Sequence, residues 1–340
     1  MRGSPVIKLN LKQALQNGRH AGMRFPAKDD ARHRPNGTFP MLSPRFQFAE
    51  GATIFTIGSC FARNIEEHLH GFHVPTREFA VPKEEWSARP NGLLNEYNPG
   101  TISQRILAAV EHRSFGELAA IETSQDQWLD LLLCGGAAPV AHARLMERRS
   151  EVDAVYAKLP GADVVIITLG LVEAWYDHET RLYLNTWPQM KALRRTPDRY
   201  ELRVLDVGDG GGLLQQAFSA LIATGVKKIL LTVSPVPLQA TFAGEDCVVA
   251  NMFSKSVLRV CAERLARHFP EVDYFPSYEI VMSGGSANFE ADNVHVYPPF
   301  VVEIVDYMLA AYVPGHQSLR PPEIRNFWLQ AASRIARWFS

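Results

Sequence analysis

The sequence has few of the features that mark a secreted, membrane-spanning or nucleic-acid-binding protein. Only four of its 340 residues are cysteines, with no Cys-x-x-Cys motif or Cys/His cluster among them, so neither a disulfide framework nor a zinc site is indicated. It has no apolar run of about 18 residues, and its first residues lack the apolar core of a signal peptide. The net charge of −1 gives no general attraction to nucleic acid or to an anionic membrane. We therefore predict a cytoplasmic globular protein with free thiols, no nucleic-acid partner and no transmembrane segment.

The first 45 residues differ from the rest in composition. They are rich in Pro, Arg, His, Asn and Gly and show no sustained periodicity. Between Arg2 and Arg34 they contain eight basic residues and only two acidic ones. We expect residues 1–45 to form an extended or partly disordered basic arm, for which a solvated segment is a simpler interpretation than a phosphate-binding one.

Short apolar runs alternate with amphipathic stretches through the remainder of the chain. Runs typical of buried strands lie at residues 53–57, 163–169, 228–233 and 272–276. Helical spacing is found at residues 61–72, 102–112, 140–159, 211–224 and 247–268. This alternation predicts an α/β fold, a three-layer α/β/α sandwich with a mainly parallel sheet, over residues 46–314. Ligands of such a sheet bind beyond the carboxyl ends of its strands.

Two segments depart from this rhythm. Residues 178–206 have short β-like runs around Asn185-Thr-Trp-Pro188, which indicates a β excursion or a cap over the site. Residues 315–340 are predicted to form a C-terminal amphipathic helix with one apolar stripe, which includes Phe327, Trp328 and Trp338. Packing on its own domain is the simplest role for this helix, and a homo-oligomer contact or a membrane surface is the alternative.

Ser59 stands where the first predicted strand meets the first predicted helix of the domain. A hydroxyl there faces the ligand crevice, beside the backbone N–H groups of a helix N-terminus, which can stabilise an oxyanion while the serine attacks an acyl carbon. The alternative is that Ser59 only caps the helix. Cys60 is a rival nucleophile, but the helical period is expected to turn it away from the crevice.

Asp292 and His295 lie three residues apart, after a loop rich in Gly, Ser and Asn. At that spacing a carboxylate can orient an imidazole, and the second ring nitrogen can then act as a general base towards a serine. The alternative is a surface loop in which the aspartate caps a turn. His68, His70 and His73 have no carboxylate or cysteine partner at metal-ligand spacing, so we predict neither a metal nor a cofactor.

The segment Gly58-Ser59-Cys60-Phe61-Ala62 spells the motif that names the GSCFA family, and the chain resembles that family over roughly residues 40–312. The further matching blocks are Leu94–Pro99, Ile167–Trp175, Asn185–Pro188 and Val233–Pro237. The family in turn resembles the SGNH/GDSL hydrolases. This resemblance implies an SGNH hydrolase-like, flavodoxin-like sandwich with Ser59 as nucleophile, His295 as base and Asp292 as its orienting partner.

One block departs from the SGNH pattern, because Val172 stands where those enzymes carry an asparagine that donates to the oxyanion. Asn95 and Asn98 are our candidates for a replacement donor, with a turn around Pro99 as the structural alternative. The backbone N–H of Gly170 is a further candidate.

Glu173 and Trp175, which follow the predicted strand at residues 163–169, complete the candidate site. Glu173 is either a paired structural charge or a site residue. Trp175 either lines an acyl or sugar pocket or belongs to the core.

Together these features predict a serine-dependent ester hydrolase or O-acyltransferase that acts on a small, acetyl-type ester of a small molecule or glycan. The carbohydrate part of this expectation comes only from the resemblance. A catalytically weak glycan-binding or scaffold protein is one alternative. Another is a transferase or thioesterase that uses acyl-CoA and whose basic arm contacts the cofactor phosphates.

Overall fold

A computed structural model describes residues 7–19 and 21–317. The α-helices in these ranges are α1 (Leu11–Asn17), α2 (Cys60–Glu67), α3 (Pro99–Val110), α4 (His142–Tyr156), α5 (Met190–Arg195), α6 (Val207–Ala223), α7 (Cys247–His268), α8 (Ser277–Ser283) and α9 (Pro298–Tyr312). The strands are β1 (His33–Arg34), β2 (Gly37–Thr38), β3 (Ile54–Gly58), β4 (Ala120–Ser124), β5 (Gln127–Asp130), β6 (Val164–Leu169), β7 (Glu173–Asp177), β8 (Leu182–Leu184), β9 (Tyr200–Val204), β10 (Ile229–Val233) and β11 (Val272–Tyr274). The predicted C-terminal helix lies outside the described residues from 318 onwards.

The central sheet has four parallel strands in the order β11-β10-β6-β3. Each strand coincides with one of the four predicted apolar runs, because β-branched and aliphatic side chains fit a sheet that is buried on both faces. Along β6, Val165 and Ile167 face one core cluster while Val164 and Ile166 face the other. Because successive side chains of a strand point to opposite faces of the sheet, β6 contributes apolar side chains to the core on both faces.

Helices cover the two faces of this sheet. Helices α3, α4, α6 and α7 supply the helical part of one core cluster. Helices α2, α8 and α9 do so for the other cluster. The α/β/α sandwich with a parallel sheet is therefore confirmed.

Helix α2 is shorter than its apolar periodicity predicted, because it ends at Glu67 instead of continuing towards Gly71. The chain leaves the helix at His68 and then pairs with the start of β3 through a parallel bridge between Thr53 and His73. The Ile54 N–H donates to the His73 carbonyl oxygen at 2.9 Å. Residues 68–72, where the sequence pattern was helical, form the turn that brings His73 to this sheet edge.

A second, antiparallel sheet has the order β8-β7-β9 and forms within residues 173–204. Trp175, in the middle of β7, pairs with Leu184 of β8 on one side and with Leu202 of β9 on the other. The segment that breaks the α/β rhythm at 178–206 therefore contributes two strands beside β7, which directly follows the buried strand β6.

Part of the N-terminal arm packs on the domain. Strands β1 and β2 form a small hairpin, and the Thr38 N–H donates to Ser283 Oγ at 2.7 Å. Phe39 is only 2% exposed, and its ring meets those of Phe300 and Tyr307 edge to face. Helix α1, by contrast, has no buried residue. None of the helices within residues 7–19 and 21–317 combines the length and apolar character needed to cross a bilayer.

Candidate active site

The carboxyl ends of neighbouring parallel strands bring Ser59, Gly170 and Ser234 to one edge of the central sheet. The turn after β3 requires a glycine, because Gly58 has a φ of 135° and a Cβ there would lie 2.1 Å from the Thr168 carbonyl oxygen. Gly58 thus allows β3 to pass close to β6 and to place the next residue, Ser59, over the crevice.

Ser59 is the N-cap of α2, and it also lines a cavity. Its Oγ accepts a hydrogen bond of 3.3 Å from the Phe61 N–H and lies 3.5 Å from Thr168 Oγ1. The residue is 3% exposed. The capping role considered in the sequence analysis is therefore present, and it coexists with a position at the cavity wall.

Asp292 and His295 form a hydrogen-bonded pair in the loop before α9. His295 Nδ1 lies 2.5 Å from Asp292 Oδ2, while Asp292 Oδ1 accepts from the N–H groups of Val294 and His295. The loop is closed by a bond from the Glu290 N–H to the His295 carbonyl oxygen and by a bridge between Phe289 and Val296. Both side chains of the pair are about half exposed.

The hydrogen bonds that Asp292 accepts keep its carboxyl group ionised. Those from the His295 side chain and from the backbone lower the pKa of Asp292 to about 2. Because Nδ1 is bonded to Asp292, Nε2 is the ring nitrogen left for a reacting group. Ser59 and His295 both line the same cavity. In the described part of the chain, the hydrogen bonds of these two side chains go to other groups and not to each other.

The cavity has a volume of about 410 Å³. Its lining comprises Ser59, Cys60, Tyr97, Asn98, Gly135, Gly170, Leu171, Glu173, Trp175, Leu184, Asn185, Thr186, Trp187, Leu202, Ser234, Val236, Pro237, Leu238, Gln239, Ala240, Phe242, Val294 and His295. It therefore brings together every candidate site residue predicted from the sequence except Asn95 and Asp292, the latter lying directly behind His295.

The two candidate asparagines have different positions. Asn98 is the N-cap of α3, where its Oδ1 accepts from the Thr101 N–H at 3.0 Å, and it lines the cavity. Its Nδ2 has no hydrogen-bond partner among the described residues. Asn95 stands outside the cavity lining, and its Nδ2 donates to the Tyr97 hydroxyl. Of the two, Asn98 offers an amide donor to the cavity.

The structure corrects the expectation that the Gly170 N–H is available to an oxyanion. That N–H donates to the Tyr97 carbonyl oxygen at 3.1 Å. The Ser59 N–H likewise donates to a backbone acceptor, the Thr168 carbonyl oxygen, at 3.3 Å. Gly170 is needed for close packing, since a Cβ there would lie 2.7 Å from the Tyr97 oxygen. The Ser59 bond joins the end of β3 to β6, and the Gly170 bond joins the end of β6 to the segment before α3.

Glu173 and Trp175 connect the second sheet to the segment between β10 and α7. Glu173 accepts hydrogen bonds from the Thr241 hydroxyl and from the Phe242 N–H, the latter at 3.0 Å. Trp175 meets the Phe242 ring edge to face, with centroids 5.9 Å apart. Glu173 therefore anchors one wall of the cavity to another.

Lys255 is buried behind the cavity wall, and the sequence analysis missed it. Its Nζ donates to the carbonyl oxygens of Gly170 at 2.6 Å and Val236 at 2.7 Å, and the side chain is 1% exposed. Burial lowers the pKa of Lys255 to about 7. The periodicity of α7 contains a signal for this position, since Lys255 shares a face with the buried Leu258 and Ala262.

Cys60 also lines the cavity, which differs from the orientation that the helical period suggested. Burial raises the pKa of the Cys60 thiol, however, and so disfavours the reactive thiolate. The thiol is thus a weaker nucleophile candidate than its position beside Ser59 implies.

Among the described residues, the one group of side chains placed to hold a metal ion is formed by Glu290, Asp292 and His295. Their ligand atoms lie within 4.8 Å of one another, and all three residues are exposed. A cation there would compete with His295 for the Asp292 carboxylate.

Comparisons with known proteins place these observations in a family. No curated protein matches the chain. Two solved structures, both catalytic mutants of Axe2, an acetylxylan esterase from Geobacillus stearothermophilus, are similar to it at 15% and 14% identity. They cover 81% of this chain and 99% and 100% of their own, each with a TM-score of 0.34. The GSCFA family profile matches residues 53–308, which include both Ser59 and the Asp292–His295 pair, and the chain therefore belongs to the GSCFA family.

Proposed function

We propose that the protein is a serine-dependent acyl-ester hydrolase, with Ser59 as nucleophile, His295 as general base and Asp292 as the carboxylate that orients the imidazole. The observation that carries this proposal is that Ser59 and His295 line one cavity while His295 Nδ1 is hydrogen-bonded to Asp292. A serine, a histidine and the carboxylate that orients it are the groups that nucleophilic acyl transfer by a triad uses.

In the proposed reaction the Ser59 hydroxyl attacks the ester carbonyl carbon, and His295 Nε2 takes up its proton. The tetrahedral intermediate collapses when the imidazolium gives that proton to the departing alcohol oxygen, which leaves an acyl-serine. Water, activated by the same histidine, then releases the acid and regenerates the serine. The ionised Asp292 carboxylate stabilises the imidazolium in both steps.

The developing oxyanion needs a hydrogen-bond donor, and we assign this role to Asn98 Nδ2. Val172, at the position where SGNH enzymes carry an asparagine, is buried. Asn98 reaches the same cavity from a different element, the start of α3. Its Oδ1 is fixed by the helix cap, which holds the carboxamide in one orientation.

O-acyl transfer uses the same first half-reaction and differs only in the acceptor, an alcohol instead of water. The half-exposed position of His295 favours hydrolysis, since water reaches the base freely. A transferase or thioesterase using acyl-CoA gains less support, because no lysine or arginine lines the cavity.

The test is labelling with a fluorophosphonate, read by intact mass. We expect one adduct on the wild type and none on Ser59→Ala or His295→Ala, because the reagent reacts with a serine that a base activates. Loss of ester turnover in the same two variants, with an unchanged melting temperature, completes the expected result.

Two neighbouring side chains provide matched controls. Ser234 lines the same cavity from the end of β10, which β6 separates from β3, and Cys60 follows the proposed nucleophile directly. Ser234→Ala and Cys60→Ser are expected to keep the adduct. An unlabelled but folded wild type would contradict the esterase and favour a glycan-binding or scaffold role.

A further inference from the structure

One wall of the cavity is a continuous apolar row on the second sheet. Trp175 of β7 pairs with Leu184 of β8 and with Leu202 of β9, and all three line the cavity. Residues directly opposite each other in antiparallel strands place their side chains on the same face. Phe242 extends this row by its edge-to-face contact with Trp175.

The charge of the lining restricts what this row can face. None of the lining residues is a lysine, arginine or aspartate, and Glu173 is the one carboxylate among them. Both Glu173 oxygens are engaged by Thr241 and Phe242. An anionic ligand group would lose its hydration here without gaining a cationic partner.

The size of the cavity exceeds what an acetyl group needs. Its volume of about 410 Å³ falls within the range of pockets that enclose whole small molecules. Beyond Ser59 and Gly170 the walls include the apolar side chains of Leu171, Val236 and Leu238. An acetyl group alone would leave this apolar surface in contact with water.

We propose that the Leu184–Trp175–Leu202 row, together with Phe242, binds an uncharged aliphatic acyl chain longer than acetyl. The substrate class is then a neutral ester of a medium-length fatty acid, which differs from the acetyl ester expected from the sequence. This assignment rests on the proposed serine esterase function, since it names the acyl group that Ser59 would receive.

The experiment compares p-nitrophenyl acetate, butyrate and hexanoate on the wild-type protein. We expect kcat/KM to rise by about tenfold or more from acetate to hexanoate, because each methylene that leaves water for an apolar wall stabilises the complex. The p-nitrophenyl monoester of adipic acid, which has the same chain length with a terminal carboxylate, is expected to react at least about tenfold more slowly than the hexanoate. A flat chain-length profile, or faster turnover of acetylated xylose than of the hexanoate, would overturn the assignment.

Trp175→Ala tests the row itself, and Tyr176→Ala is its matched control. Tyr176 is the next residue of β7 on the opposite face, where it stacks with Arg203. We expect Trp175→Ala to raise KM for the hexanoate by about tenfold more than it raises KM for the acetate. Tyr176→Ala should keep the wild-type preference, and equal chain-length profiles in the two variants would speak against the row.

Binding separates this inference from the esterase proposal. The Ser59→Ala variant is titrated with p-nitrophenyl hexanoate, and quenching of tryptophan fluorescence is measured. If the wild type turns over no ester, but Ser59→Ala binds the hexanoate saturably and the additional Trp175→Ala substitution weakens that binding, the acyl-chain site is retained and the esterase is rejected. If the wild type turns over the acetate, but the hexanoate is not bound preferentially, the esterase is retained and the acyl-chain site is rejected.

Discussion

Asn98 combines two tasks in one side chain, and these can be separated by substitution. Asn98→Asp retains an oxygen that can cap α3, next to the positive end of the helix dipole, but removes the Nδ2 donor. We expect the free energy of unfolding to stay within about 1 kcal/mol of wild type while kcat falls by roughly 10²–10³-fold, the usual effect of losing one oxyanion donor. Urea denaturation and ester kinetics measure the two effects.

Asn98→Ser is the companion variant, because serine also caps helices and introduces no charge. It should resemble Asn98→Asp in both measurements. If both variants kept the wild-type kcat, Asn98 would be a helix cap only, and the oxyanion donors would have to come from α2.

Lys255 makes stability depend on pH in an unusual direction. Its pKa is about 7 in the folded protein, against an ordinary value of 10.5. Between these values the unfolded chain keeps a proton that the folded protein has lost, so raising the pH favours folding. Below pH 7 both states are protonated, and the full cost of the buried charge is present.

We therefore expect the free energy of unfolding of the wild type to rise between pH 7 and about pH 9.5, relative to that of Lys255→Met, by up to about 1.4 kcal/mol per pH unit. Urea denaturation of both proteins at several pH values measures this difference. The comparison is independent of the hydrogen bonds that the variant loses to Gly170 and Val236, since those shift its curve equally at every pH. Parallel curves would contradict a titrating Lys255.

At the scale of elements, the site arises where the starts of two helices meet the ends of parallel strands. Strand β3 leads into Ser59 at the start of α2, and Asn98 starts α3. Between them the Glu96 N–H donates to the Gly58 carbonyl oxygen, which keeps the two helix starts together. Asn185 adds a third link, because its side chain bonds the backbone of Asn95 and Tyr97. The position of the candidate nucleophile thus depends on contacts between segments far apart in sequence.

The sequence predicted those parts of this arrangement that depend on local pattern. The strands follow from their β-branched runs, and the Asp292–His295 bond is made between residues three apart in one loop. The register that aligns Leu184, Trp175 and Leu202 could not be read in the same way, because strand pairing is chosen by tertiary packing. The early end of α2 has the same cause, since pairing of His73 with the sheet edge overrides helical periodicity.

At the scale of the whole molecule, the arm is coupled to the loop that carries His295. The Asn36 carbonyl oxygen accepts from Asn288 Nδ2, and the Asn288 carbonyl oxygen accepts from the Tyr297 N–H. Asn288 thus links the arm to both ends of the loop before α9 that contains the Asp292–His295 pair. Removing the packed part of the arm should therefore affect both stability and catalysis.

Two deletions separate the packed part of the arm from the rest. Deleting residues 1–31 removes α1, which buries no residue, and should leave the melting temperature within about 2 °C. Deleting residues 1–40 also removes Phe39, so we expect a loss of about 3 kcal/mol and a melting temperature lower by roughly 5–10 °C. Thermal unfolding followed by circular dichroism measures both, with Phe39→Ala in the full chain as the matched variant. Kinetics on the folded 1–40 deletion should show a lower kcat, because the loop that presents His295 loses its hydrogen bond to Asn36. Equal melting temperatures for the two deletions would mean that residues 32–40 contribute nothing to the stability of the folded domain.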